Sequence, residues 1–134
     1  MGTRIVTIQC LGDAPGSKFL DGRTGDGTVG LAPDSGGSGT RWRLSDNGGA
    51  VTLECLGDVP GSKFLDGRTG DGTVGLAPDD GGSGTRWRLP GNGVLECLGD
   101  VPGPKFLDGR TGSGTVGLAP DNGFSGTRWQ MSDL

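Results

Sequence analysis

The sequence predicts an all-β fold built from a threefold internal repeat. Three observations carry this. Glycine supplies 31 of 134 residues, far too many for a helical bundle; one long segment recurs three times; and each copy alternates short apolar runs with turn clusters. The segment CLGDAPGSKFLDGRTGDGTVGLAPDSGGSGTRWRL, from Cys10 to Leu44, returns from Cys55 to Leu89 with changes only at Ala14/Val59 and Ser35/Asp80, and a third copy runs from Cys97 to Met131. The landmarks Cys10/Cys55/Cys97, Phe19/Phe64/Phe106 and Trp42/Trp87/Trp129 step by 45 and then 42 residues.

The second copy shows each element in order. Val51 to Leu56 reads as a short strand ended by the turn cluster Gly57-Asp58-Val59-Pro60-Gly61. Lys63 to Arg68 is a second strand, and Asp71-Gly72 after it is a hairpin signal, because Gly accepts the positive φ such turns require. Thr73 to Ala77 is a third strand, stopped by Pro78, and Gly84 to Leu89 a fourth. One such copy owns about one Trp, one Phe and a few aliphatics, too little apolar surface to offset its own chain entropy. The copies must therefore share a core. Three four-stranded repeats packed with pseudo-threefold symmetry make a β-trefoil, so residues 1–134 are expected to form a single β-trefoil domain with repeats at about 3–47, 48–92 and 93–134. Propellers also use four-stranded blades but need about four of them to close, so the structural alternative is a propeller closed between molecules.

Composition narrows function. The 12 Lys and Arg are interspersed among 16 Asp and Glu for a net charge of −4, which disfavours nucleic-acid binding through a phosphate-tracking basic stripe. No His is present, removing the commonest general acid/base and transition-metal ligand, so no enzyme activity, metal or cofactor is expected. No apolar run approaches the roughly 20 residues that cross a bilayer, and Met1-Gly2-Thr3-Arg4 opens no secretory signal. Val6 stands where a myristoylation signal wants Ser or Thr. The expectation is a soluble chain, cytoplasmic or released without a readable signal peptide.

Within each copy, the Trp is expected in the core, with a sugar-stacking platform as the alternative. Leu20, Val29 and Leu31 alternate with polar or glycine neighbours, as in strands with one buried face. Phe19, Phe64 and Phe106 are out of phase with the adjacent leucines and either cover a loop or line a groove. Cys10, Cys55 and Cys97 are an odd set in identical contexts, so small buried thiols are expected rather than a disulfide or a three-thiolate metal site.

The segment Asp21-Gly22-Arg23-Thr24-Gly25-Asp26-Gly27 is neither an EF-hand loop, lacking alternating oxygen ligands and a closing Glu, nor a phosphate loop, lacking Gly-Lys-Ser/Thr. Ser113 replaces the second Asp in the third copy, marking Asp26 and Asp71 as turn residues and leaving Asp21, Asp66 and Asp108 as the carboxylates of interest. Each stands two residues before Arg23, Arg68 or Arg110. Such a pair is either a structural ion pair or a site where Asp accepts hydrogen bonds from vicinal sugar hydroxyls while loop amides donate. A shallow polar pocket repeated three times suits a multivalent binder better than an enzyme.

Lys18-Phe19-Leu20-Asp21, Gly27-Thr28-Val29-Gly30-Leu31 and Gly39-Thr40-Arg41-Trp42 together resemble the Cys-Leu-Asp, Gly-Thr-x-Val-Gln-Leu-Trp and Gln-x-Trp motifs of the ricin-type β-trefoil lectins, in all three copies. The resemblance implies a divergent lectin whose hydroxyl-accepting Asp is Asp21, Asp66 or Asp108. Its stacking aromatic falls on Ala32, Ala77 and Ala119, its Asn and Gln on Gly39 and Thr40 and their repeats, and Phe19, Phe64 and Phe106 replace the first Cys of its intra-repeat disulfide. Galactose preference therefore does not carry over. Phe124, where the other copies have Gly37 and Gly82, either stacks on a sugar or caps the core near the C-terminus.

The function expected from these residues is a multivalent carbohydrate-binding lectin that cross-links glycoproteins, glycolipids or polysaccharides. Its candidate contacts are Asp21, Arg23, Thr40, Asp66, Arg68, Thr85, Asp108, Arg110, Phe124 and Thr127. The alternatives are a protease inhibitor acting through Ser35-Gly36-Gly37-Ser38 or Asn47-Gly48-Gly49, and a symmetrised scaffold without a ligand.

Overall fold

The computed structural model describes residues 3–12, 18–23, 27–34, 36–46, 49–57, 63–68, 72–79, 81–89, 93–99, 105–110, 114–121, 123 and 125–133. Twelve strands account for most of them: β1 (Thr3–Cys10), β2 (Phe19–Arg23), β3 (Thr28–Ala32), β4 (Trp42–Asp46), β5 (Val51–Cys55), β6 (Phe64–Arg68), β7 (Thr73–Ala77), β8 (Trp87–Arg88), β9 (Glu96–Cys97), β10 (Phe106–Arg110), β11 (Thr115–Ala119) and β12 (Trp129–Asp133). The chain is all-β. Among the described residues no helix is long and apolar enough to cross a membrane.

The second and third strands of each copy form the hairpins β2–β3, β6–β7 and β10–β11. Each is paired over five rungs, from Phe19↔Ala32 to Arg23↔Thr28 in the first and equivalently in the others. Gly27, Gly72 and Gly114 end the turns at φ 76°, 76° and 74°, the left-handed region where an L side chain is strained.

These hairpins do not belong to three separate four-stranded units. The strands pair across repeat boundaries: β4 with β5, β8 with β9, β12 with β1, and β3, β7 and β11 with one another. A continuous circuit runs β10-β9-β8-β5-β4-β1-β2-β3-β7-β11 and returns to β10, with β6 bridging β5 and β7 and β12 alongside β1. The expected β-trefoil is thus corrected to a closed ten-strand antiparallel β-barrel. The physical reason is that a strand at the edge of a four-stranded unit leaves a row of unpaired amides and carbonyls, and pairing across the repeat boundaries gives such edges partners.

The core is continuous across the copies, from Val6, Ile8 and Cys10 through Leu20, Trp42, Leu53, Leu65, Trp87 and Leu107 to Trp129. The fourth expected strand is also corrected at its start. Ser83–Thr85, like Ser38–Thr40 and Ser125–Thr127, is one turn of 3-10 helix, and only Trp87–Arg88 of that segment pairs as strand.

Candidate functional site

Side chains of a strand point alternately to opposite faces, so Leu20 enters the core while Phe19, Asp21 and Arg23 stand together on the outer face of β2. Across the hairpin, Phe19 meets Ala32, Asp21 meets Gly30 and Arg23 meets Thr28. The outer face of each hairpin therefore carries a half-buried Phe, a half-buried Asp, an exposed Arg and an exposed Thr in one row.

Arg23 folds back along this face. Its Nε lies 3.7 Å from Asp21 Oδ2, and its η-nitrogens lie over Gly30, 2.7 and 2.8 Å from where a Cβ would stand. Arg68 and Arg110 repeat the arrangement, each 3.6 Å from Asp66 or Asp108 and lying over Gly75 or Gly117. Glycine at these positions leaves the guanidinium room to lie flat on the sheet.

Burial pushes the carboxyls of Asp21, Asp66 and Asp108 above their ordinary pKa, while the charge and hydrogen bonding of the adjacent Arg oppose the shift. The side chains are only about a fifth exposed, at 23%, 22% and 19%. A carboxylate that is partly desolvated and held by one guanidinium edge retains acceptor capacity for a ligand hydroxyl.

The floor beneath is built from two copies at once. The 3-10 turn Ser38–Thr40 presses Gly39 against the Asp21 carboxylate and the Gly22 carbonyl, with no room for a side chain. Below Gly22, the Trp42 indole Nε1–H donates to the Leu20 carbonyl at 3.0 Å, and the Cys55 thiol, from the next copy, donates to the Gly22 and Gly39 carbonyls at 3.6 and 3.4 Å. Cys97 stands likewise under Gly67 and Gly84, and Cys10 under Gly109 and Gly126. All three thiols are free and buried, and burial raises their pKa, with backbone hydrogen bonds opposing.

The expected contacts thus divide. Asp21/Arg23, Asp66/Arg68 and Asp108/Arg110 come together on open faces. Thr40 and Thr85 are buried to 1% and donate their hydroxyls to the Gly37 and Gly82 carbonyls at 2.6 and 2.7 Å, and Thr127 is buried to 0%. They hold the floor rather than face a ligand. Phe124, the turn residues Asp26, Asp71 and Ser113, and the loop positions Ser35 and Asn47–Gly48 lie outside the described residues. The residues that sequence reasoning left unplaced are Phe19, Phe64 and Phe106; the signal was their i, i+2 spacing from the Asp, which puts both on one face. Among the described residues, no three His, Cys, Asp or Glu side chains gather as a metal site.

No protein-family model matches the chain, and no curated protein matches it.

Proposed function

We propose that this protein is a non-enzymatic, multivalent carbohydrate-binding protein with up to three similar sites, capable of cross-linking glycans. The observation that carries the reading is the outer face of the three hairpins, where a partly buried carboxylate, a guanidinium, a threonine and a phenylalanine recur in the same order. Carboxylate and guanidinium suit vicinal hydroxyls, and the Phe ring offers an apolar surface to the C–H face of a sugar. The motif resemblance to ricin-type lectins supports the same assignment of Asp21, Asp66 and Asp108.

Each site is polar and its arginine about half exposed, so a sugar exchanges water hydrogen bonds for protein ones at a net gain of about 1 kcal/mol per bond. Useful affinity then comes from engaging several sites on one surface, where effective concentration raises apparent affinity by roughly 10² to 10⁴. A glycan array identifies the ligand, and calorimetry with it tests the site. Asp21→Ala, Asp66→Ala and Asp108→Ala, introduced one at a time, should lower the number of sites stepwise, and the folded triple variant should not bind. Undiminished binding by that variant would show the carboxylates to be structural.

A further inference from the structure

The three hairpins meet in a triangle. Thr28 of β3 pairs with Gly75 of β7, Thr73 of β7 with Gly117 of β11, and Thr115 of β11 with Gly30 of β3, so the start of each strand abuts the middle of another. Backbone hydrogen bonds lock the corners: the Leu76, Leu118 and Leu31 amides donate to the Gly27, Gly72 and Gly114 carbonyls at 3.0, 2.9 and 3.0 Å.

Each triangle glycine is also the one over which an arginine lies. Thr28 pairs with Arg23 in its own hairpin and with Gly75, which carries the Arg68 guanidinium; Thr73 stands in the same way between Arg68 and Arg110, and Thr115 between Arg110 and Arg23. Guanidinium and threonine therefore alternate around one ring, all six on the solvent side, since Val29, Leu31 and Leu76 fill the opposite face. Asp21, Asp66 and Asp108 sit on β2, β6 and β10, one strand farther from the centre, and hold the Nε edge of each arginine.

The ring has the chemistry of an oxyanion site. Two residues of strand span about 6.6 Å and paired Cα atoms lie about 5 Å apart, so the six ring positions lie about 6 Å from the triangle's centre, with a guanidinium over three of them. In a phosphate or sulfate monoester, the central atom stands about 4 Å from nitrogens that hydrogen-bond its terminal oxygens. The three terminal oxygens of such an ester share the ring's threefold arrangement, and guanidinium is the side chain suited to pairing with them.

We propose that the centre of this triangle binds the terminal oxyanion of a sulfated or phosphorylated sugar, one per chain, with Arg23, Arg68 and Arg110 as its ligands. The proposal rests on the carbohydrate-binding reading and adds to its three hairpin sites one shared central position, which takes the anionic group of a modified glycan. It makes binding salt-dependent despite the chain's net charge of −4, because the arginines are local to the site.

Calorimetry on the full chain with a sugar 6-sulfate, the corresponding 6-phosphate, the unmodified sugar and inorganic phosphate tests it. The expected result is one equivalent of sulfate or phosphate ester per chain, at least tenfold tighter than the unmodified sugar, and weakened as salt rises. Whichever ester binds more tightly identifies the source of the oxyanion. Arg23→Gln, Arg68→Gln and Arg110→Gln should each weaken the ester severalfold, and the triple variant, checked for a native melting transition, should lose the preference. Arg→Lys at the three positions should restore part of it. Equal affinity for ester and unmodified sugar overturns the anionic site while leaving the carbohydrate reading intact. Binding of inorganic phosphate with no sugar of any kind overturns the glycan as ligand, and failure of both esters overturns the anionic site, the glycan array deciding the carbohydrate reading.

Discussion

At the scale of single residues, the three aspartates show a site held against its own solvation preference. Burial raises the carboxyl pKa of Asp21, Asp66 and Asp108, so the folded chain takes up protons more readily there than the unfolded chain. Their contribution to stability is therefore full below the unfolded value of about 3.9 and is lost as pH rises through the raised folded value. The variant with all three changed to Asn lacks this dependence. Urea midpoints followed from about pH 3.5 to 6.5 should show the native protein losing ground to that variant as pH rises, and parallel profiles would show that the carboxyls are not desolvated. The Asp–Arg pairing was legible in the sequence because two residues along a strand return to one face. The burial of Thr40, Thr85 and Thr127 was not, because it depends on a 3-10 turn that local pattern reads as strand.

At the scale of elements, the repeat is not uniform. The interval between Trp42 and Cys55 holds three more residues than that between Trp87 and Cys97. β4 and β5 consequently pair over five rungs, Trp42↔Cys55 to Asp46↔Val51, while β8 and β9 pair over two, Trp87↔Cys97 and Arg88↔Glu96. A cavity of about 190 Å³ opens beside the short pairing, lined by Leu89, Gly93, Val94, Leu95, Trp129 and Met131. Fewer rungs beside a void mean a lower local opening free energy. Native-state hydrogen exchange should find the Glu96 amide less protected than that of Glu54, its equivalent in β5, and equal protection would show that the shortened hairpin is as firmly held as the long one. The shortening was visible in the step of 42 rather than 45, but its result was not, since the number of rungs depends on how the shorter connection between β8 and β9 folds.

At the scale of the whole molecule, the copies are keyed into one another. A side chain at Gly22 would stand 2.7 Å from Cys55 Sγ and 3.0 Å from the Trp42 ring, and Gly67 and Gly109 meet Cys97/Trp87 and Cys10/Trp129 in the same way. Gly22→Ala should cost about 1 to 3 kcal/mol by overpacking. In a Cys55→Ala background the cost should fall, because the sulfur is gone, and a double-mutant cycle on urea unfolding reads the coupling between copies directly. Strictly additive effects would mean that the key does not bear on stability. The sequence displayed the threefold repeat plainly, yet the closed barrel was misread as a trefoil of four-stranded units. Identity of the copies tells how many strands each contributes, whereas the partner of each strand is settled by contacts between residues far apart in sequence.

That keying also orders events in time. The Cys55 thiol reaches Gly39 across 16 residues, while the Cys10 thiol must find Gly126 across 116, in the seam where β1 pairs with β12. Bringing distant segments together costs more chain entropy than closing a short loop, so the seam is expected to join after the intervening hairpins have formed. A seam made late in folding acts as the latch of the native state, and weakening it speeds escape from the barrel more than it slows arrival.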